Sequence, residues 1–246
     1  MNQLKSFLVA LQFLTILPVY FKQFPDAKTT GGSIVYYPLI GVIIGLLLVF
    51  VGLAGNHLPA NICASLILVC WVVITGALHL DGLADSADAW LGGLGDRTRT
   101  LAIMKDPACG PFAVVTLVLL LLVKFVALQQ IVLSESWLFL VIVPVLARSM
   151  PVLLFITTPY VRTNGIGNQL AKHLPYRASV IVLLFAALIV FGLLGFRGVQ
   201  LIFILICLFI VLRMLMILRI GGMTGDTAGA TLEISEIAML LVVVLM

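Results

Sequence analysis

Apolar residues run through this chain in long continuous blocks, and the polar residues are gathered into a few segments between them. The blocks are 34–55, 60–80, 111–133, 137–157, 179–195 and 199–218. Most come close to the ~20 residues that an α-helix needs to cross a bilayer, and none shows the strict alternation of a membrane β-strand. Hydrocarbon offers backbone N–H and C=O groups no partner, so runs of this kind fold as helices. The pattern predicts an all-α, polytopic helical integral membrane protein. It has about six full transmembrane helices plus short N- and C-terminal membrane-associated helices. Phe7–Leu17 is short for a span and is expected to lie at the interface or to re-enter, and Met1–Phe21 shows no small-x-small cleavage site. Lys22–Ser33 reads as a polar loop closing in Gly31-Gly32. Ile237–Met246 is too short to span unless its helix begins well upstream. Pro38, Gly41 and Gly45 stand at spacings that let helices pack closely. No polar linker interrupts the order, so residues 1–246 are expected to form a single domain.

Composition sharpens this picture. The 246 residues are 63% hydrophobic and 10% charged, against about 25% charged in soluble domains, which excludes a soluble globule. The formal net charge of +4 is no nucleic-acid footprint; in a membrane chain basic residues chiefly report topology. With segment 81–110 in the cytoplasm, Lys5, Lys22, Lys28, Arg97, Arg99, Lys105, Arg162, Lys172, Arg177 and Arg219 share its side, and only Arg197 lies opposite. The positive-inside rule therefore assigns the polar segments to the cytoplasmic face. Lys124, Arg148 and Arg213 remain inside apolar blocks, where a charge needs either a function or a partner. The cysteines, Cys63, Cys70, Cys109 and Cys207, form no CxxC pair, so neither a zinc site nor a disulfide framework is indicated.

The chemistry is concentrated where the charges return. No Asp, Glu, Lys or Arg occurs from Thr29 to Leu80; then Asp81, Asp85 and Asp88 follow at i, i+4 and i+7, on one face of a helix. Like charges so close raise one another's pKa unless a cation compensates. Hard carboxylate oxygens without clustered Cys or His point to a divalent ion, most simply Mg²⁺. A solvated acidic helix start accounts for Asp81 but poorly for Asp85 and Asp88. Gly92-Gly93-Leu94-Gly95, Arg97, Arg99, Lys105 and Asp106 come next. A second polar cluster runs from Gly221 to Ala230 and contains Asp226, with Glu233 and Glu236 beyond it. Capping by Thr224 or Asp226 explains part of that cluster but not the two glutamates. Carboxylates that hold a metal beside Arg and Lys suit phosphoryl or nucleotidyl transfer.

The run HLDGLADSADAW, then R-x-R, IMKD and GGMTGDTAGA with two following glutamates, resembles the cobalamin synthase (adenosylcobinamide-GDP ribazoletransferase) family. FLTILPV and SIVYYPLIGVIIG resemble that family's opening, so the likeness spans the chain in order. One departure is Pro107-Ala108-Cys109-Gly110, which lacks the family's basic residue before the glycine; no phosphate contact is assigned there. The resemblance implies a Mg²⁺-dependent enzyme of the bacterial inner membrane that completes the nucleotide loop of coenzyme B12. It would join adenosylcobinamide-GDP to α-ribazole or its 5′-phosphate and release GMP. On that likeness Asp81, Asp85 and Asp88 hold metal and, with Asp226, are catalytic. His79, Arg97, Arg99, Lys105, Glu233 and Glu236 bind substrate. Its partners are the corrinoid nucleotide, the ribazole and the bilayer, with no nucleic acid; a homo-oligomer or contact with other cobalamin-assembly enzymes is left open. A CDP-alcohol phosphotransferase fits poorly, because its D-x-x-D-G-x-x-A-R pattern meets Leu78 and Asp85 at two required positions. A cation-coupled transporter would place acids near the midplane and repeat its halves, and neither feature is seen in the sequence.

Overall fold

The computed structural model describes residues 3–23 and 25–246. Among them the chain is helical, with no β-strand. Helices α1 (Gln3–Leu14) and α2 (Ala27–Gly32) lead through a 3₁₀ turn (Ser33–Tyr36) into α3 (Tyr37–Ala54). Then come α4 (Ala60–Ile74), α5 (Leu78–Gly92), α6 (Arg97–Ile103), α7 (Pro111–Leu133) and α8 (Phe139–Thr157). The chain ends with α9 (Ile166–Lys172), α10 (Tyr176–Leu194), α11 (Phe196–Ile220) and α12 (Gly225–Leu245).

Six helical stretches among the described residues are long and apolar enough to cross a membrane: Ala27–Ala54, α7, α8, α10, α11 and α12. The spans differ from those that the apolar blocks predict at two places. The block 60–80 is broken, because α4 and α5 are bent by 84°. Gly76 and Ala77 take positive φ values of 60° and 54° at the break. Thr75 Oγ1 donates to the Trp71 carbonyl at 3.0 Å, and the Ile16 amide takes the Ile74 carbonyl at 2.8 Å, which satisfies the freed end of α4. At the C terminus the helix starts at Gly225, far upstream of the apolar tail, and so reaches 21 residues. Thr224 and Thr227 cap it reciprocally: Thr224 Oγ1 accepts from the Thr227 amide at 3.2 Å, and Thr227 Oγ1 accepts from the Thr224 amide at 2.9 Å. The segment read as a polar loop is also partly helical. Asp26 caps α2 by accepting from the Thr29 amide at 2.7 Å, and that bond holds its carboxyl below the usual carboxylate range.

Helices α8 and α12 form the centre, with 67% and 56% of their apolar windows buried, whereas α7 and α11 bury 22% each and α10 only 17%. The outer three therefore present their Leu, Ile, Val and Phe side chains to lipid. Gly41 and Gly45 lie against α8: a Cβ on them would stand 2.6 Å from the Pro144 carbonyl oxygen and 2.5 Å from Val141 Cα. Close packing thus accounts for the small-residue spacing. The charges inside the blocks are paired. Lys124 of α7 and Arg148 of α8 both bind Glu236 of α12, and Lys124 also reaches Glu233 at 3.2 Å. Trp71 of α4 donates Nε1 to Glu236 at 3.2 Å, and its ring centroid lies 4.2 Å from Lys124 Nζ. Two cations and two carboxylates from α7, α8 and α12 cancel, as buried charges must. Arg213 sits nearer the end of its span and donates to the Thr157 carbonyl at 2.7 Å.

Candidate active site

Helices α5 and α12 cross through glycines. A Cβ on Gly82 would lie 2.8 Å from the Asp226 carbonyl oxygen, and one on Gly229 would lie 3.3 Å from His79 Cα. The bare hydrogen of Gly82 lets the backbones approach this far, and Gly229 keeps the second contact free of crowding. The first acidic motif is thereby set directly on the start of the second. His79, Asp81 and Asp226 line one pocket of about 170 Å³ at this crossing. Asp81 is exposed and Asp85 half-buried. Asp85 stands within electrostatic reach of Asp81, Asp226 and Asp88, and of Arg162, whose charge opposes theirs.

Arg162 enters from the loop after α8. Its Nη2 donates to Asp226 Oδ2 at 2.5 Å and to the Met104 carbonyl at 3.3 Å. A single parallel bridge, Tyr160 to Met223, fixes that loop: the Val161 amide donates to the Met223 carbonyl at 2.9 Å, and the Met223 amide donates to the Pro159 carbonyl at 2.8 Å. Two backbone hydrogen bonds thus tie the loop carrying Arg162 to the loop that leads into Asp226. Burial pushes the Tyr160 phenol up, and the neighbouring Arg162 opposes that shift.

The other residues singled out in the sequence are placed differently. Asp88 accepts the Gly110 amide at 2.5 Å on one oxygen and the Ala113 amide at 2.9 Å on the other, so both oxygens cap α7. Glu233 and Glu236 lie two to three turns down α12 from Asp226, in the buried ion cluster. Arg97 rests against Gly221, where a Cβ would come 3.2 Å from its Cζ. Arg99 and Lys105 are exposed near the same loops. Arg219 joins α11 to this end by donating Nε to Thr100 Oγ1 at 3.2 Å and Nη2 to the Trp90 carbonyl.

Known proteins resemble this chain along nearly its whole length. Residues 6–244 match the family described as cobalamin-5-phosphate synthase. A protein of Pseudomonas putida named adenosylcobinamide-GDP ribazoletransferase is 52% identical over 235 residues, covering 96% of each chain. Proteins of the same name from Pseudomonas syringae pv. syringae and Acinetobacter baumannii are 48% identical over 240 residues and 47% identical over 234 residues. The first covers 98% of this chain and 99% of its own, the second 95% and 94%. The chain belongs to the cobalamin-5-phosphate synthase family. No solved structure matches it.

For a member of that family, the donor set can be tested against a metal ion. Among the described residues no three Asp, Glu, His or Cys side chains converge as a finished ligand set. The Asp81 and Asp85 carboxylates make no hydrogen bond to another described residue, whereas that of Asp226 is engaged by Arg162. Magnesium takes one or two protein carboxylates and completes its shell with water and substrate phosphates. The two unengaged carboxylates therefore fit magnesium that arrives with a phosphorylated substrate. Arg162 is the residue that sequence reasoning missed as a site group. It carried no motif and was counted only as one of many topology-reporting basic residues; its role becomes visible only when the Tyr160–Met223 bridge folds its loop over α12.

Proposed function

We propose that this chain is an adenosylcobinamide-GDP ribazoletransferase. It joins adenosylcobinamide-GDP to α-ribazole or its 5′-phosphate and releases GMP. It works as a multi-pass protein of the bacterial inner membrane, with its site loops on the cytoplasmic face. The observation that carries this reading is the glycine crossing of α5 and α12, which brings Asp81 and Asp226 onto one pocket, with Asp85 within electrostatic reach of both and of Arg162. The names of the relatives supply the substrates.

In the reaction a ribose hydroxyl attacks the phosphorus nearer the corrinoid. A new P–O bond forms, the bond to the GMP oxygen breaks, and the hydroxyl proton passes to a site carboxylate, which later returns it to water. Asp81 and Asp85 would hold magnesium on the diphosphate, with Asp88 tying α5 to the start of α7; the ion would supply neutralisation of charge on the phosphate oxygens. Arg162 trades its contact with Asp226 for the substrate phosphates, and Arg97, Arg99 and Lys105 attract the anionic nucleotide to this end. Glu233 and Glu236 hold α12 in register from below. Orientation is supported by the distribution of basic residues, since Arg97, Arg99, Lys105, Arg162 and Arg219 lie at the end that carries the pocket.

The test uses purified protein in detergent or liposomes, supplied with adenosylcobinamide-GDP and α-ribazole. Formation of equal amounts of GMP and the joined corrinoid is expected, silenced by chelation and restored by Mg²⁺. Absence of GMP at any metal concentration contradicts the function, and undiminished turnover in chelator contradicts the metal.

A further inference from the structure

The pocket at the α5–α12 crossing has a lining of two kinds. His79, Asp81 and Asp226 supply polar side chains. Aromatic and aliphatic side chains supply the apolar wall: Phe13 of α1, Tyr37 of α3, Pro151 and Phe155 of α8, and Leu170 of α9. The aromatic walls come as ordered pairs. Phe13 and Tyr37 stack with centroids 6.4 Å apart and planes 25° from parallel, and Phe155 stacks on Tyr160 at 5.9 Å and 15°. Two polar atoms of lining residues are buried with no hydrogen-bond partner, His79 Nδ1 and Tyr37 Oη. Their residues are 6% and 2% exposed. The Ser33 hydroxyl beside Tyr37 does not meet it in hydrogen-bond geometry. A native interior rarely leaves such groups unpaired unless something else completes them.

We propose that the apolar wall of this pocket is the subsite for the base of the acceptor nucleoside, a flat, largely apolar benzimidazole. The inference rests on the reading above that the acceptor is a ribazole. Size, surface and polar count all bear on it. A space of about 170 Å³ takes a bicyclic ring and excludes a corrin. Aromatic walls favour a planar guest by offset stacking. A benzimidazole riboside presents one free ring nitrogen, and one buried donor, the Tyr37 hydroxyl, answers it. Guanine, the other base in the reaction, carries several donors and acceptors on its edge; in this apolar chamber most would lie unpaired, and burial without partners rejects a ligand strongly. A base seated between Phe13 and Phe155 leaves its ribose beside His79, Asp81 and Asp226, where the hydroxyl is needed. His79 Nδ1 is then available to a ribose hydroxyl.

Leu170→Trp fills the chamber, and Tyr37→Phe removes the donor while keeping the ring. Steady-state turnover of the full-length protein is measured as GMP release while each substrate is varied separately. Leu170→Trp should raise KM for α-ribazole more than tenfold and Tyr37→Phe about fivefold, with KM for adenosylcobinamide-GDP within twofold of wild type in both. A rise confined to the corrinoid substrate, or an unchanged KM for α-ribazole in Tyr37→Phe, overturns the subsite while leaving the proposed function standing. Should wild type release no GMP, the proposed function falls. Equilibrium dialysis with radiolabelled α-ribazole alone then decides the pocket: retention by wild type and loss in Leu170→Trp supports it, and equal or absent binding in both overturns it. Because Leu170 is buried, the melting temperature of each variant is recorded first, and Tyr37→Phe carries the test if Leu170→Trp does not fold.

Discussion

At the scale of single residues, the three aspartates of α5 share a helical face but have different duties. The Asp81 and Asp85 carboxylates make no hydrogen bond among the described residues, whereas that of Asp88 satisfies two amides at the start of α7. The i, i+4, i+7 spacing was legible in the sequence; the partners of Asp88 were not, because Gly110 and Ala113 lie more than twenty residues away and carry no capping signal of their own. Gly110 is constrained by the same contact, since a Cβ there would fall 2.7 Å from Asp88 Oδ2. Asp88→Ala removes a charged cap, a loss of about 1–2 kcal/mol. Its melting temperature in detergent should drop by several degrees, and Asp81→Ala should melt close to wild type. Equal melting of Asp88→Ala and wild type would show that the cap holds nothing.

Helices and their crossings carry the next level. The apolar blocks placed α3, α7, α8, α10 and α11 well, because a lipid-facing helix must be apolar along its length. They failed at α4–α5, where the chain turns at Gly76 and Ala77 within an apolar block, and at α12, which is largely enclosed by other helices, so protein rather than hydrocarbon decides its composition. Helix α12 keeps Thr227, Thr231, Glu233, Ser235 and Glu236 buried against neighbours that pair the charges. The glycines of the HLDG and GDTAG motifs drew no reading of their own in the sequence, yet in the structure they set the distance between two helices. Gly82→Ala would drive its Cβ into the Asp226 carbonyl, and α12 would have to withdraw. A displacement near 1 Å at reacting groups costs about a hundredfold in rate. Turnover of Gly82→Ala, measured as GMP release per folded protein, should fall on that scale, while Gly192→Ala, where a Cβ meets nothing within 4 Å, should leave it unchanged. Full activity in Gly82→Ala would detach the crossing from the chemistry.

Across the whole molecule, one end gathers most residues of the candidate site. The loops after α5, α8 and α11 meet there, bound by the Tyr160–Met223 bridge and by Arg219. The sequence disclosed this grouping through the basic residues alone, without the contacts that create it. Exposed Cys109 lies in one of these loops. In a variant with Cys63, Cys70 and Cys207 replaced by serine, a membrane-impermeant maleimide should label Cys109 only after the cells are opened; labelling in sealed cells would invert the orientation. The central claim is that the acids of α5 and α12 act as one site, and a double-mutant cycle tests it most directly. The value of kcat/KM is measured for GMP release by Asp81→Asn, Asp226→Asn and the double variant. Each single change should cost about a hundredfold or more, the scale of losing one key electrostatic group. The double variant should be scarcely worse than the poorer single one, because residues that act as a unit are far from additive. Losses that simply multiply, or a single variant that retains wild-type activity, would contradict a shared site.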